Sequence, residues 1–147
     1  MSLTGLVARY CDAWNDHDAR ECAACFAPDG ERVWRIASSA HLAGSPYPRF
    51  RGRAAIADAI AAFIAGGPDL RFDVDALSEG SDGRVWTEWR ITGTHRGSRG
   101  DWAPAGEPVD LVGVSIFRVG RDGLREERCY WDSMLLRATP AGAAAPA

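Results

Sequence analysis

Leu3, Leu6, Val7, Tyr10 and Trp14 recur at i, i+3, i+4, i+7 and i+11, which predicts one apolar face of a helix capped by Ser2 or Thr4. Asn15-Asp16-His17-Asp18 breaks that period, and Asp18 is a good N-cap for a second short helix reaching about Phe26. Ala27-Pro28-Asp29-Gly30 reads as a turn, and 31–37 as a strand. Residues 38–52 are rich in Ser, Gly and Pro and read as a loop carrying Tyr47 and Phe50. Ile56, Ile60, Phe63 and Ile64 form the apolar face of a third helix over about 53–65, stopped by Gly66-Gly67-Pro68.

Beyond this point the period changes to two. Leu70, Phe72 and Val74 alternate with Arg71, Asp73 and Asp75, the mark of a half-buried strand. Ser81-Asp82-Gly83 is a turn. Strands are predicted over 84–96, 108–119 and 124–136, with a Gly/Pro loop at 97–107 and a hairpin turn at Gly120-Arg121-Asp122-Gly123. Helices first and long strands after predict an α+β domain over 1–137, with a curved sheet on a helix layer and a pocket at its open end. Residues 138–147 contain only Ala, Pro, Gly and Thr, and a disordered tail is expected there.

Composition narrows the chemistry. The 147-residue length suits one domain, and a net charge of −3 gives no basic excess, so nucleic acid is not expected as a partner. All 17 basic residues are Arg. Without Lys there is no Schiff-base, Walker A or kinase lysine. No two glycines stand two apart, and no Ser sits in a nucleophile elbow. Cys22-x-x-Cys25 has no second ligand pair at zinc-finger spacing, so buried thiols are expected and no metal or other cofactor. The start lacks a secretory pattern, no run is long and apolar enough for a membrane span, and a cytoplasmic protein is expected.

Several segments together carry a family resemblance. They are Tyr10–Ala19 with Phe26–Gly30, Phe50–Ile56, Gly67–Val74, Trp89–Gly97, Pro104–Val109, Gly113–Arg118, Asp122–Glu127 and Tyr130–Asp132. In order and spacing they resemble the SnoaL-like polyketide cyclase group of the nuclear-transport-factor-like superfamily, over about 3–137. The resemblance implies a conical barrel of mostly antiparallel sheet on three helices, an internal pocket and a homodimer. It implies cofactor-free ring closure by an Asp late on the last strand, aided by a His on a middle strand, roles that fall on Asp132 and His95. Where the group often carries Trp four residues before the final Asp, this chain has Arg128. An epoxide-hydrolase pattern would need Arg and Asp where Trp89 and Ile91 stand.

Read as residues, Asp132 in a run of Cys, Tyr, Trp and Met is either exposed on the outward face or buried with a function. His95 near a strand end suits a pocket mouth, and imidazole exchanges protons near neutrality. Alternation puts Trp89 with His95, Trp86 opposite, and Arg128, Tyr130 and Asp132 together against Cys129 and Trp131. A cavity for a small hydrophobic or polycyclic ligand is then expected from Trp14, Trp34, Trp89, Trp102, Phe117 and Tyr130. Arg128 either serves that cavity or pairs with Glu126 or Glu127 at the surface. Outward Trp86, Val112, Val114, Ile116 and Trp131 predict the dimer face. The leading expectation is a cofactor-independent cyclase or isomerase. A non-catalytic ligand-binding or accessory protein is the alternative, and a hydrolase or hydroxylase of the same fold is the weaker one.

Overall fold

The computed structural model describes residues 2–37, 44, 46–96 and 105–132. The elements run α1 (Leu3–Asn15), α2 (Ala19–Ala24), β1 (Phe26–Ala37), β2 (Arg49–Arg51), α3 (Arg53–Gly66), β3 (Arg71–Glu79), β4 (Arg84–Thr94), β5 (Pro108–Gly120) and β6 (Gly123–Asp132). Ser2 caps α1 by accepting from the Gly5 amide at 3.0 Å. Asp18 caps α2 by accepting from the Arg20 and Glu21 amides.

The corner between these helices is tied to β3. Asn15 both donates to the Phe72 carbonyl and accepts from its amide, at 2.8 Å each. His17 adopts a left-handed φ of 55° and brings Nε2 to 2.7 Å from the Leu70 carbonyl. The break in helical period at 15–18 is therefore a clasp between the helix layer and the sheet.

The six strands form one sheet in the order β2-β1-β6-β5-β4-β3. Only β1 and β6 pair in parallel. Helix α1 touches β3, β4 and β6, which lie across most of the sheet, so the sheet wraps around it. Val7, Tyr10 and Trp14 of α1 and Ile56 and Ile60 of α3 are buried against the concave face. The α+β architecture and the mostly antiparallel curved sheet are as expected from sequence.

Local boundaries differ. Phe26 begins β1 instead of ending α2, and 27–30 lie within β1 at a register irregularity between Phe26 and Glu31. Residues 49–51 are not loop but a short strand paired to β1. β3 continues to Glu79. The 97–104 part of the expected loop and everything after 132, including the expected tail, lie outside the described residues.

One irregularity has large consequences. Arg118 pairs with Glu126, but Val119 pairs with Leu124, so β6 carries one extra residue opposite β5. Counting inward positions from buried Leu124 without a bulge would turn Glu126, Arg128, Tyr130 and Asp132 toward the helices. The extra residue shifts the parity by one, and Glu127, Cys129 and Trp131 point inward instead.

Candidate functional site

The parallel β1/β6 ladder sets Arg32 opposite Glu127 and Trp34 opposite Cys129, with Arg32, Trp34, Glu127, Cys129 and Trp131 turned to the helix side. Arg32 and Glu127 are 5% and 2% exposed. Arg32 Nε donates to Glu127 Oε2 at 2.7 Å, and the Tyr10 hydroxyl donates to the same oxygen at 2.7 Å. Ser115 donates to Oε1 at 2.8 Å, and its own oxygen accepts from Trp89 Nε1 at 3.0 Å. Glu127 thus binds together α1, β1, β5 and, through Ser115, β4.

A buried ion pair needs this company, because desolvation of two charges offsets much of their attraction. Burial by itself would lower the Arg32 pKa. The negative charge of Glu127 and its hydrogen bond oppose this, and the guanidinium is held above its ordinary value. Burial raises the Tyr10 hydroxyl well above its ordinary value and pushes the Cys129 thiol up to about 12. Tyr10 acts here as a neutral hydrogen-bond donor.

Around the pair stands an aromatic wall. Trp14, Trp34, Phe63, Phe72, Trp89 and Trp131 line a cavity of about 20 Å³ together with Arg32 and Glu127. Trp14 stacks on Phe72 at 5.8 Å and Trp34 meets Trp131 edge-on at 5.7 Å. The Arg32 guanidinium lies 5.3 Å from the Trp14 ring centre and 5.7 Å from that of Trp34. Gly113 stands opposite Trp89 on β5, and a Cβ there would run into the indole. A second cavity of about 20 Å³ has Phe63 and Ile91 in common with the first and adds Leu70, Thr94, Val109 and His95. Each is enough for about one water. A larger hollow of about 490 Å³, by Arg84, Arg118 and Arg125, is a solvent-open basin whose cations pair with nearby carboxylates.

The structure brings together Trp14, Trp34 and Trp89 in the first cavity and sets His95, 4% exposed, on the wall of the second. Phe117 is buried against Tyr10 in the core and lines neither. Asp132, Tyr130 and Arg128 do not face the interior, a correction that follows from the extra residue on β6. Asp132 is exposed, Tyr130 is 38% exposed, and Arg128 donates to Glu126 at 2.7 Å, the surface alternative for that residue. Trp131, expected on the outer face, is an inner-wall residue, and Ile116 is covered. Trp102 lies outside the described residues.

Sequence reasoning missed Arg32, Glu127, Tyr10, Ser115, Phe63 and Phe72 as cavity or network residues. A usable signal was present on β6. Cys129 and Trp131 are better inward residues than Arg128 and Asp132, and their parity carries Glu127 with them.

Burial raises the Cys22 and Cys25 thiols, and both are free. Among the described residues no group of three or more His, Cys, Asp or Glu gathers as metal ligands. No described helix is long and apolar enough to cross a membrane.

The SnoaL-like domain model matches residues 7–127. A comparison with curated proteins finds no match. Among solved structures, a candidate SnoaL-like polyketide cyclase from Jannaschia sp. CCS1 superposes with a TM-score of 0.73 at 19% identity, over 92% of each chain. AclR, a candidate hydroxylase from Streptomyces galilaeus, gives 0.69 at 20% identity over 90% of each chain. A protein of ketosteroid isomerase-like fold from Catenulispora acidiphila, solved with trimethylamine, gives 0.70 at 17% identity over 92% of this chain and 91% of that one. At these identities the likeness is one of fold.

Proposed function

We propose, for a chain that belongs to the SnoaL-like domain family, acid–base catalysis without a cofactor on a small, flat, apolar ketone or enone, in an isomerisation or ring closure. The observation that carries this reading is a buried imidazole, His95, on the wall of an apolar cavity that has Phe63 and Ile91 in common with the aromatic-lined one. His95 takes a proton from the carbon next to a carbonyl and returns it at a second position or after carbon–carbon bond formation. The aromatic rings hold the substrate by its faces.

Because the two cavities have Phe63 and Ile91 as common walls and hold about one water each, a ring substrate enters only as the Phe63 side chain turns aside and joins them. Asp132, on the outer face, has no part in this chemistry. The test is deuterium exchange at the α-carbons of 2-tetralone in D2O, followed by NMR. The protein is expected to exceed the buffer rate, and His95→Gln to lower the enzymatic rate by about 100-fold or more. Exchange at the buffer rate, or exchange indifferent to His95→Gln, overturns the reading. A non-catalytic carrier of the same ligands, which the outward Asp132 favours, would bind 2-tetralone without exchanging it.

The outer face supports assembly with a second copy of the chain. Trp86, Val112, Val114 and Tyr130 are exposed there on three adjacent strands, with Glu88 and Arg90 beside them. Both charge signs around an apolar centre suit a self-complementary two-fold contact. Sedimentation is expected to give a dimer at micromolar concentration and a monomer for Val114→Glu. A monomeric parent protein contradicts the assembly.

A further inference from the structure

Two buried donors in the first cavity have no hydrogen-bond partner: Arg32 Nη1 and Trp34 Nε1. They belong to neighbouring inward positions of β1, and both side chains line the same cavity. Three donors beside them are answered. Arg32 Nε and the Tyr10 hydroxyl are taken by Glu127, and Trp89 Nε1 by Ser115. Buried indole N–H and guanidinium N–H groups ordinarily find an acceptor, so two left over on one wall mark a place made for one.

We propose that Arg32 Nη1 and Trp34 Nε1 form an acceptor subsite for a single anionic oxygen, the enolate or phenolate oxygen of a flat aromatic or conjugated ligand. The inference rests on the interior being the binding site, and it names the ligand class that site takes. The charge sits where it is useful. Glu127 occupies Nε of the guanidinium, and Nη1 is left without a partner on a residue that lines the cavity. Glu127, held in turn by Tyr10 and Ser115, is a positioning residue. The Trp14 and Trp34 rings near the guanidinium keep it from water. Donors fixed beforehand in an apolar surrounding stabilise an oxyanion without having to reorganise. A cationic ligand is disfavoured, since it would meet Arg32 at the same wall.

The test titrates 4-nitrophenol by absorbance in the presence of the protein, with nitrobenzene as the probe lacking the oxygen. The bound phenol is expected to ionise about one unit lower than in buffer, a tenfold preference for the anion. Nitrobenzene is expected to bind more weakly than the phenolate. Trp34→Phe keeps the ring and removes the donor, so it is expected to lose part of the shift while remaining folded. Arg32→Met with Glu127→Met, which leaves no buried charge, is expected to abolish it.

An unchanged ionisation on binding, a shift indifferent to both β1 variants, or failure of 4-nitrophenol to bind overturns the subsite. A full shift together with absent tetralone exchange leaves the subsite standing and overturns the catalytic reading. Exchange with no shift does the reverse.

Discussion

Glu126 and Glu127 are neighbours on one strand, yet they inhabit different chemistry. Glu126 faces outward and takes Arg128 at 2.7 Å and Arg118 at 3.8 Å, its side chain 18% exposed. Glu127 faces inward, 3% exposed at the side chain, and holds Arg32, Tyr10 and Ser115. Further along the same strand, Cys129 and Trp131 join the inner wall while Tyr130 stays outside. The residue types are the same on both faces, a carboxylate with Arg partners and aromatics nearby. What separates a surface ion pair from the anchor of the interior is a one-residue shift in pairing.

The comparison is broken most strongly by removing one of the two carboxylates. Glu127→Ala leaves Arg32 buried without its counter-charge and is expected to cost about 3–5 kcal/mol. Glu126→Ala is expected to cost about 1 kcal/mol or less, since its partners turn to water. Urea denaturation reads both, and equal losses would mean the two faces do not differ as described. Restoring neutrality sharpens the point. Arg32→Met with Glu127→Met is expected to be more stable than Glu127→Ala alone by about 1–4 kcal/mol, because no unpaired charge remains.

A smaller effect is expected from Gly113→Ala, about 1–3 kcal/mol by the same measurement. Its new methyl would meet the Trp89 indole and the Tyr130 carbonyl. Loss of that packing without loss of the Glu127 network would show that the aromatic wall and the ion pair are separate supports.

An effect of a different kind appears with pH. Burial pushes the Cys11 and Cys129 thiols up to about 12 from an ordinary 9.0. The unfolded chain then loses these protons first as pH rises. Their contribution to stability is complete below about 9 and falls away through about 12. Stability measured across that window is expected to decline, and the decline to lessen for Cys129→Ala, which has no proton to lose. A flat profile would mean that the thiols are not sealed.

The fold was legible because it is written in periods that tolerate error. The 3.6-residue face of α1 and α3 and the two-residue alternation of β4 survive any single misplacement, and Trp89 and His95 were correctly put on one face. The site was only half legible. Alternation puts Trp89 and His95 on one face, and Trp14 and Trp34 line the same cavity as Trp89. The family resemblance puts Asp132 inside, and Tyr130 and Arg128 share its parity; the extra residue on β6 sets that face outward, and a two-residue period gives no partial credit for a slip of one. Arg32 and Glu127 were hidden for another reason. Their partnership depends on β1 lying parallel to β6, a pairing between strands 95 residues apart, and nothing local announces it.

The central claim is that the chemistry belongs to the inner face, and α-proton exchange of 2-tetralone by two variants side by side tests it most directly. Asp132→Asn is expected to keep the rate within about twofold of the parent, and His95→Gln to lose about 100-fold or more. Loss of exchange in Asp132→Asn with the rate of His95→Gln preserved would contradict the account.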